Sequence, residues 1–182
     1  MRITALVCTV GLTSFGAALT TPALAETAAE IDAGVEAARD DCAAKVEGCN
    51  TAAEKAQGLL VFPKVTKGAI GVGGSYGEGA LIVDDKTAGY YSTAAASIGL
   101  QVGAETYSQI IMFMTLEALD DFRNSSGWQA GANAKVAMID QGKAADVNSI
   151  VANSPVIAFI FGQQGLMGDL SVEGAKITKL DR

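Results

Sequence analysis

Between Lys67 and Val83 the sequence alternates in a way few folds can absorb. Its odd positions are Gly71, Gly73, Ser75, Gly77 and Gly79. Its even positions are Ile70, Val72, Gly74, Tyr76, Glu78, Ala80 and Ile82. Read as a strand, the segment carries side chains on one face and almost none on the other. A bare strand face marks a bend, a bulge, or the close approach of another backbone or a ligand. The competing reading is a phosphate loop. Gly68 to Ser75 fits G-x-x-x-x-G-K-S except at the lysine, where Gly74 stands. A dinucleotide fingerprint also fails, because Tyr76 occupies the last glycine position after Gly71 and Gly73. The segment is therefore predicted to be a bent or closely packed β element.

The neighbouring sequence extends that pattern. Leu59 to Phe62 reads as a short apolar strand ended by Pro63, and Asp84 to Thr87 reads as a turn. From Gly89 to Ala104, Ala96, Ile98, Leu100 and Val102 share one face, as in a half-buried antiparallel strand. Ser108 to Met114 is apolar on both faces and reads as a central strand. Thr115 is placed to cap a helix running to about Phe122, closed by Asn124 to Gly127. Further strands are expected at 133–139, 155–161 and 169–180, the last with a bulge at Gly174.

Upstream, the pattern is helical. Ile31, Val35, Ala38, Cys42 and Val46 follow helical spacing over residues 27–46. Thr51 to Glu54 has the form of a capping box that would open a second helix. Cys42 and Cys49 would be about 10 Å apart on one continuous helix. A disulfide tolerates about 7 Å. A bridge therefore needs the chain to turn, which Gly48 permits, with Cys49 in the interhelix loop. Two small buried thiols are the alternative. The fold class that results is α+β: an N-terminal helical hairpin, then a strongly bent, mostly antiparallel sheet, closing towards a barrel or half-barrel.

The first 25 residues read as a secretory signal peptide. Arg2 is followed by an uncharged run from Ile3 to Leu19, then Pro22 and the small-residue site Ala23-Leu24-Ala25. An uncleaved membrane anchor is the alternative. Cleavage near Ala25 would leave a single domain over 26–182, exported to the periplasm or the cell exterior. Removing residues 1–25 takes one basic residue and no acid, leaving 12 basic and 20 acidic residues, a net charge of −8.

Charge and composition narrow the chemistry. The acidic balance argues against nucleic-acid binding, which needs a basic footprint. The chain has no His, which excludes a Ser-His-Asp triad and any His-ligated metal. The acidic pairs Asp84-Asp85 and Asp120-Asp121 lack EF-hand spacing, so no metal or cofactor is expected. Glu78 is either a buried carboxyl with a raised pKa or a carboxylate at a sheet rim paired with a lysine such as Lys64 or Lys67, and the ion-paired reading is preferred. A catalytic role for Glu78, Ser125 or Ser126 is the weakest reading, and the chain is taken as non-enzymatic.

Several ordered motifs carry a family resemblance. They are Ala56 to Gly68, Gly73 to Gly79, Gly89 to Ser92 and Gly99 to Ala104, then Ile111 to Thr115, Phe122 to Trp128, Ser154 to Ile157 and Gly165 to Gly174. Together they resemble the SYLF (Ysc84-like) lipid-binding domain family, as an exported bacterial member. The resemblance implies a non-enzymatic domain that binds lipid. Eukaryotic relatives bind phosphoinositides, partly through a basic amphipathic N-terminal helix, and a fungal relative binds actin. The matching helix here is acidic, with Glu30, Asp32, Glu36, Asp40 and Asp41 against Arg39 and Lys45. Anionic membranes repel such a helix. Actin is not an expected partner of an exported protein.

The leading expectation is an envelope protein that holds or contacts a phospholipid. Ile110, Met112 and Phe113 would line an acyl cavity, with Lys64 and Lys67 near a headgroup and Tyr76 and Glu78 beside them. Simple core packing of the apolar three is the bland alternative. The second reading is a structural or protein-interaction module of the periplasm with no lipid ligand.

Overall fold

A computed structural model describes residues 26–140, 147–165 and 174–182. The expected signal segment, and residues 169–173 of the expected last strand, lie outside the described residues. Helix α1 spans Ala28–Lys45 and α2 Cys49–Ala53. Two long strands follow, β1 over Gly58–Val83 and β2 over Lys86–Phe113. The remaining elements are α3 (Leu116–Asn124), β3 (Trp128–Gln129), β4 (Val136–Asp140), α4 (Val147–Asn153), β5 (Val156–Gly165) and β6 (Lys176–Leu180).

The sheet is a strongly curled half-barrel, and the class is α+β as expected. β1 and β2 form one antiparallel hairpin. Its two-residue turn places Asp84 and Asp85 at φ 50° and 55°, the left-handed pair of a type I′ turn. The four strands read separately in the sequence thus merge into two. Pro63 does not end β1. The strand passes it with a register shift between Phe62 and Val65, and Ser108 Oγ donates to the Pro63 carbonyl at 2.8 Å. On its other edge β2 meets β6 through Tyr90–Ala94 and β5 through Glu105–Phe113. β4 lies parallel to β5, so the sheet is mixed.

The bare face of β1 has an occupant, and it is β1 itself. A Cβ built on Gly79 would stand 2.0 Å from the Val61 carbonyl oxygen and 2.8 Å from Phe62 Cδ1. One on Gly77 would stand 2.7 Å from the Lys64 oxygen and 2.9 Å from Val65 Cγ2. The strand therefore crosses over its own beginning. Residues 65–76 have a contour of roughly 40 Å at strand rise. They leave this crossing and return to it. They can do so because the ribbon folds at its middle. Three β2 residues, 99–101, face the single Gly71 between the pairs Ile70↔Val102 and Val72↔Ile98. The result is a bent two-stranded lobe outside a closed neck. Among the described residues, β2 residues 95–104 pair with β1 alone.

Two cores lie on the two faces of the sheet. One holds Phe62, Ile111, Phe113, Phe122, Trp128 and Ile160, gathered under α3. The other holds Ile31, Val35, Cys42, Val61, Ile110 and Met112, beneath α1 and α2. Alternate residues of one strand feed opposite cores, as the period of two requires.

α1 begins with a capping box. Glu30 N donates to Thr27 Oγ1, and Thr27 N donates to Glu30 Oε2 at 2.8 Å. The backbone donor at Thr27 holds the Glu30 carboxyl below its usual range. Gly34 lets the helix close on Pro63, whose Cγ is 3.0 Å from where a Cβ would sit. Asp32 accepts from Thr87 Oγ1 at 3.0 Å and from the Tyr90 hydroxyl at 2.9 Å, so part of the acidic face is spent on the sheet.

Three local expectations are corrected. α2 starts at Cys49, after Gly48 at φ 77°, and Thr51 lies inside it rather than capping it. The reversal at Gly48 sets the helix start before the Thr51 box is reached. Cys49 is accordingly the first helical residue, not a loop residue. Gly174, at φ 78°, belongs to a turn ahead of β6, where its N–H donates to the Ala130 carbonyl, and makes no bulge within the strand.

The crossing predicts a sharp contrast between glycines. Gly79→Ala should cost about 3 kcal/mol or more in urea denaturation, because backbone must move to admit the methyl. Gly68→Ala, whose nearest neighbour is 4.0 Å away, should stay within about 0.5 kcal/mol of the parent.

Candidate functional site

The residues singled out in the sequence separate into a neck, a groove and a core. At the neck, Lys64 is exposed and Lys67 half-buried, with Lys67 directly across from Glu105 in the register. Tyr76 is 52% exposed, an unusual position for a large aromatic ring. Its hydroxyl donates to Glu78 Oε1 at 2.7 Å. Partial burial and the Glu78 carboxylate push the Tyr76 hydroxyl above its usual range.

Glu78 is buried, and its partner is neither lysine. Its Oε2 lies 2.7 Å from Arg182 Nη2, as an ion pair rather than a well-directed hydrogen bond. Arg182 also donates to the Glu26 carbonyl, so one guanidinium ties together both ends of the described chain and the neck. Arg182 had no signal in the sequence. It sits two residues beyond β6, and nothing in its spacing points to Glu78.

Further along the inward face of β2 stand Glu105, Tyr107 and Gln109, all buried. Burial raises the Tyr107 hydroxyl, and a hydrogen bond with Ser75 opposes that rise. Neither Glu105 Oε2 nor Gln109 Nε2 has a hydrogen-bond partner among the described residues.

Ile110, Met112 and Phe113 do not face a common cavity. Phe113 packs on Phe122 and Trp128, with ring centroids 4.8 and 6.2 Å apart. Ile110 and Met112 point to the opposite face, beneath the helices. There they floor a groove. One cavity of about 350 Å³ lies between α1, α2 and the sheet, with Leu59 completing the floor. A second, of about 370 Å³, continues past Ile82 to the Asp84-Asp85 turn. Arg39, Asn50, Ala53 and Leu59 line both. The wall made by α2 is held by the Cys42–Cys49 disulfide, whose Cα atoms are 5.9 Å apart.

The remaining polar candidates have structural duties. Ser125 Oγ donates to the Phe122 carbonyl at 2.8 Å and finishes α3. Asp85 pairs with Arg39 at 2.9 Å. No group of three His, Cys, Asp or Glu residues arranged to hold a metal occurs among the described residues. None of their helices is long and apolar enough to cross a membrane.

A comparison with family models matches residues 94–182 to the family described as "Ysc84: Las17-binding protein actin regulator". The match runs from within β2 past the end of β6. No curated protein matches the chain.

The neck pair gives a direct test. Arg182→Met leaves the buried Glu78 carboxylate uncompensated and should cost about 3 kcal/mol. Adding Glu78→Gln should recover part of that loss, and a double-mutant cycle in urea measures the coupling.

Proposed function

We propose that this chain, whose residues 94–182 match the Ysc84 (SYLF) family model, is a non-enzymatic phospholipid-surface protein of the cell envelope. The observation that carries this reading is the lobe. Residues 68–77 and 87–104 contain no charged side chain. Over 95–104 the ribbon has two strands and no third among the described residues. A two-stranded ribbon is marginal in water on its own. An uncharged one, held out from the domain by a closed neck, is suited to rest in the apolar edge of a bilayer.

The neck has the chemistry of the interface beside that edge. A half-exposed Tyr favours the boundary between apolar and wet surroundings. A Lys near an anionic surface adds about 1 kcal/mol. Tyr76, Lys64 and Lys67 therefore sit at headgroup depth when the lobe is inserted. Contact runs through the sheet and not through α1. That helix is acidic, and its Asp32 is committed to the β1–β2 hairpin. Recognition of phosphoinositides by a basic helix is no part of this proposal.

The uncharged run from Ile3 to Leu19 with its small-residue site supports export, and the disulfide suits an oxidising compartment. The periplasm or cell exterior is the location proposed.

Co-sedimentation with vesicles of phosphatidylethanolamine and phosphatidylglycerol tests the lobe. The parent protein should pellet with lipid. Leu100→Glu, which puts a charge into the charge-free run, should weaken binding at least tenfold. A urea titration of the variant checks that it remains folded. A parent that stays in the supernatant, or a variant that pellets equally well, would refute the proposal.

A further inference from the structure

The groove beneath the helices is used by nothing in the lipid reading. It is at the other end of the β1–β2 hairpin, against the turn at Asp84 and Asp85 rather than at the lobe. Its floor is apolar, formed by the half-buried Leu59 with the buried Ile82, Ile110 and Met112 beneath it. Its rim is strongly acidic. Glu36 and Asp40 come from α1, Glu54 follows α2, and Asp84 and Asp85 come from the turn. Among the described residues, Arg39 is the single cation lining either cavity.

Arg39 indicates what the groove accepts. It lines both cavities, and its guanidinium reaches from α1 to Asp85 at 2.9 Å. Its side chain is 36% exposed and that of Asp85 86% exposed, so the pair is wet and readily exchanged. The groove thus already hosts one cation above an apolar floor, with four further carboxylates around it.

We propose that this groove docks a basic amphipathic segment of a protein partner. An apolar side chain of the partner enters above Leu59 and Ile110. Flanking Lys or Arg side chains meet Asp40, Glu54 and Asp84, and one displaces Arg39 from Asp85. The charge pattern selects this occupant over an acidic peptide or an anionic lipid, which the rim repels. The apolar floor selects it over a purely basic, flexible chain. The disulfide keeps α2 in place as the wall of the site, since Cys49 itself lines it.

Fluorescence anisotropy with labelled peptides on the disulfide-bonded protein tests the proposal. A short peptide of alternating Leu and Lys should bind. One of alternating Gly and Lys should bind roughly tenfold more weakly, because it has nothing for the floor. Ala53→Trp fills the groove and changes no charge, and should weaken the Leu-Lys peptide roughly tenfold. The paired change Asp84→Asn and Asp85→Asn keeps residues that tolerate the left-handed turn. It removes two rim charges, and should also weaken binding. Arg39→Gln should strengthen it by a few-fold, since Asp85 is released. Leu100→Glu should leave peptide binding unchanged, which separates this site from the lobe. Absence of binding, equal binding of the Gly-Lys peptide, or full binding by Ala53→Trp would each overturn the proposal.

Discussion

The Val61 carbonyl oxygen stands 2.0 Å from where a Cβ on residue 79 would be. No side chain fits there, and the rest of the architecture follows from that contact. It lets one strand pass over its own start, with Gly77 doing the same above Lys64 and Val65. The crossing closes a neck and leaves residues 65–76 outside it as a lobe. It also turns the hairpin so that one edge of β2 serves two partners, β6 near Tyr91 and β5 near Ile111. Curling the sheet this far separates its faces into the two cores.

Each core then has its own lid. On one side Phe122 and Trp128 close over Phe113, in tilted and edge-on ring contacts that add to simple burial. On the other side α1 lies across Pro63, and its acidic residues are partly consumed in holding it there. This explains how a helix with so many carboxylates can belong to a protein proposed to meet lipid. Asp32 faces the sheet and Glu36 and Asp40 the groove, while the charge-free ribbon lies at the other end of the hairpin. The protein carries two unlike regions: a ribbon without charged residues beyond the neck and an acidic, apolar-floored groove at the hairpin turn.

Much of this was legible in the sequence. α1 was visible because Ile31, Val35, Ala38 and Cys42 recur at helical spacing, and all four are buried. The bare glycine face was visible because strand geometry makes alternate positions equivalent. The disulfide was visible as a geometric demand for a turn at Gly48. Other features depended on contacts that local patterns do not record. The Thr51 to Glu54 box was a decoy, since the reversal at Gly48 starts the helix earlier. α4 (Val147–Asn153) escaped notice because its sequence is short and rich in Val, Ile and Asn. Pro63 looked like a strand end because the bulge that accommodates it involves Ser108, far away in sequence. Arg182 was invisible as the partner of Glu78 for the same reason.

The candidate site was less legible than the fold. Ile110, Met112 and Phe113 looked alike in the sequence because all are apolar and near one another. A strand divides them between two faces, so they serve different cores. Lys64 and Tyr76 are neighbours along the backbone, because the crossing sets the Lys64 carbonyl beside Gly77. That crossing is the central claim, and through-space proton contacts in the labelled protein test it most directly. The structure requires nuclear Overhauser contacts from Gly79 Hα to the Phe62 ring and from Gly77 Hα to the Val65 methyls. A spectrum showing Gly79 in contact with its ladder partner Tyr91 but with neither Val61 nor Phe62 would contradict it.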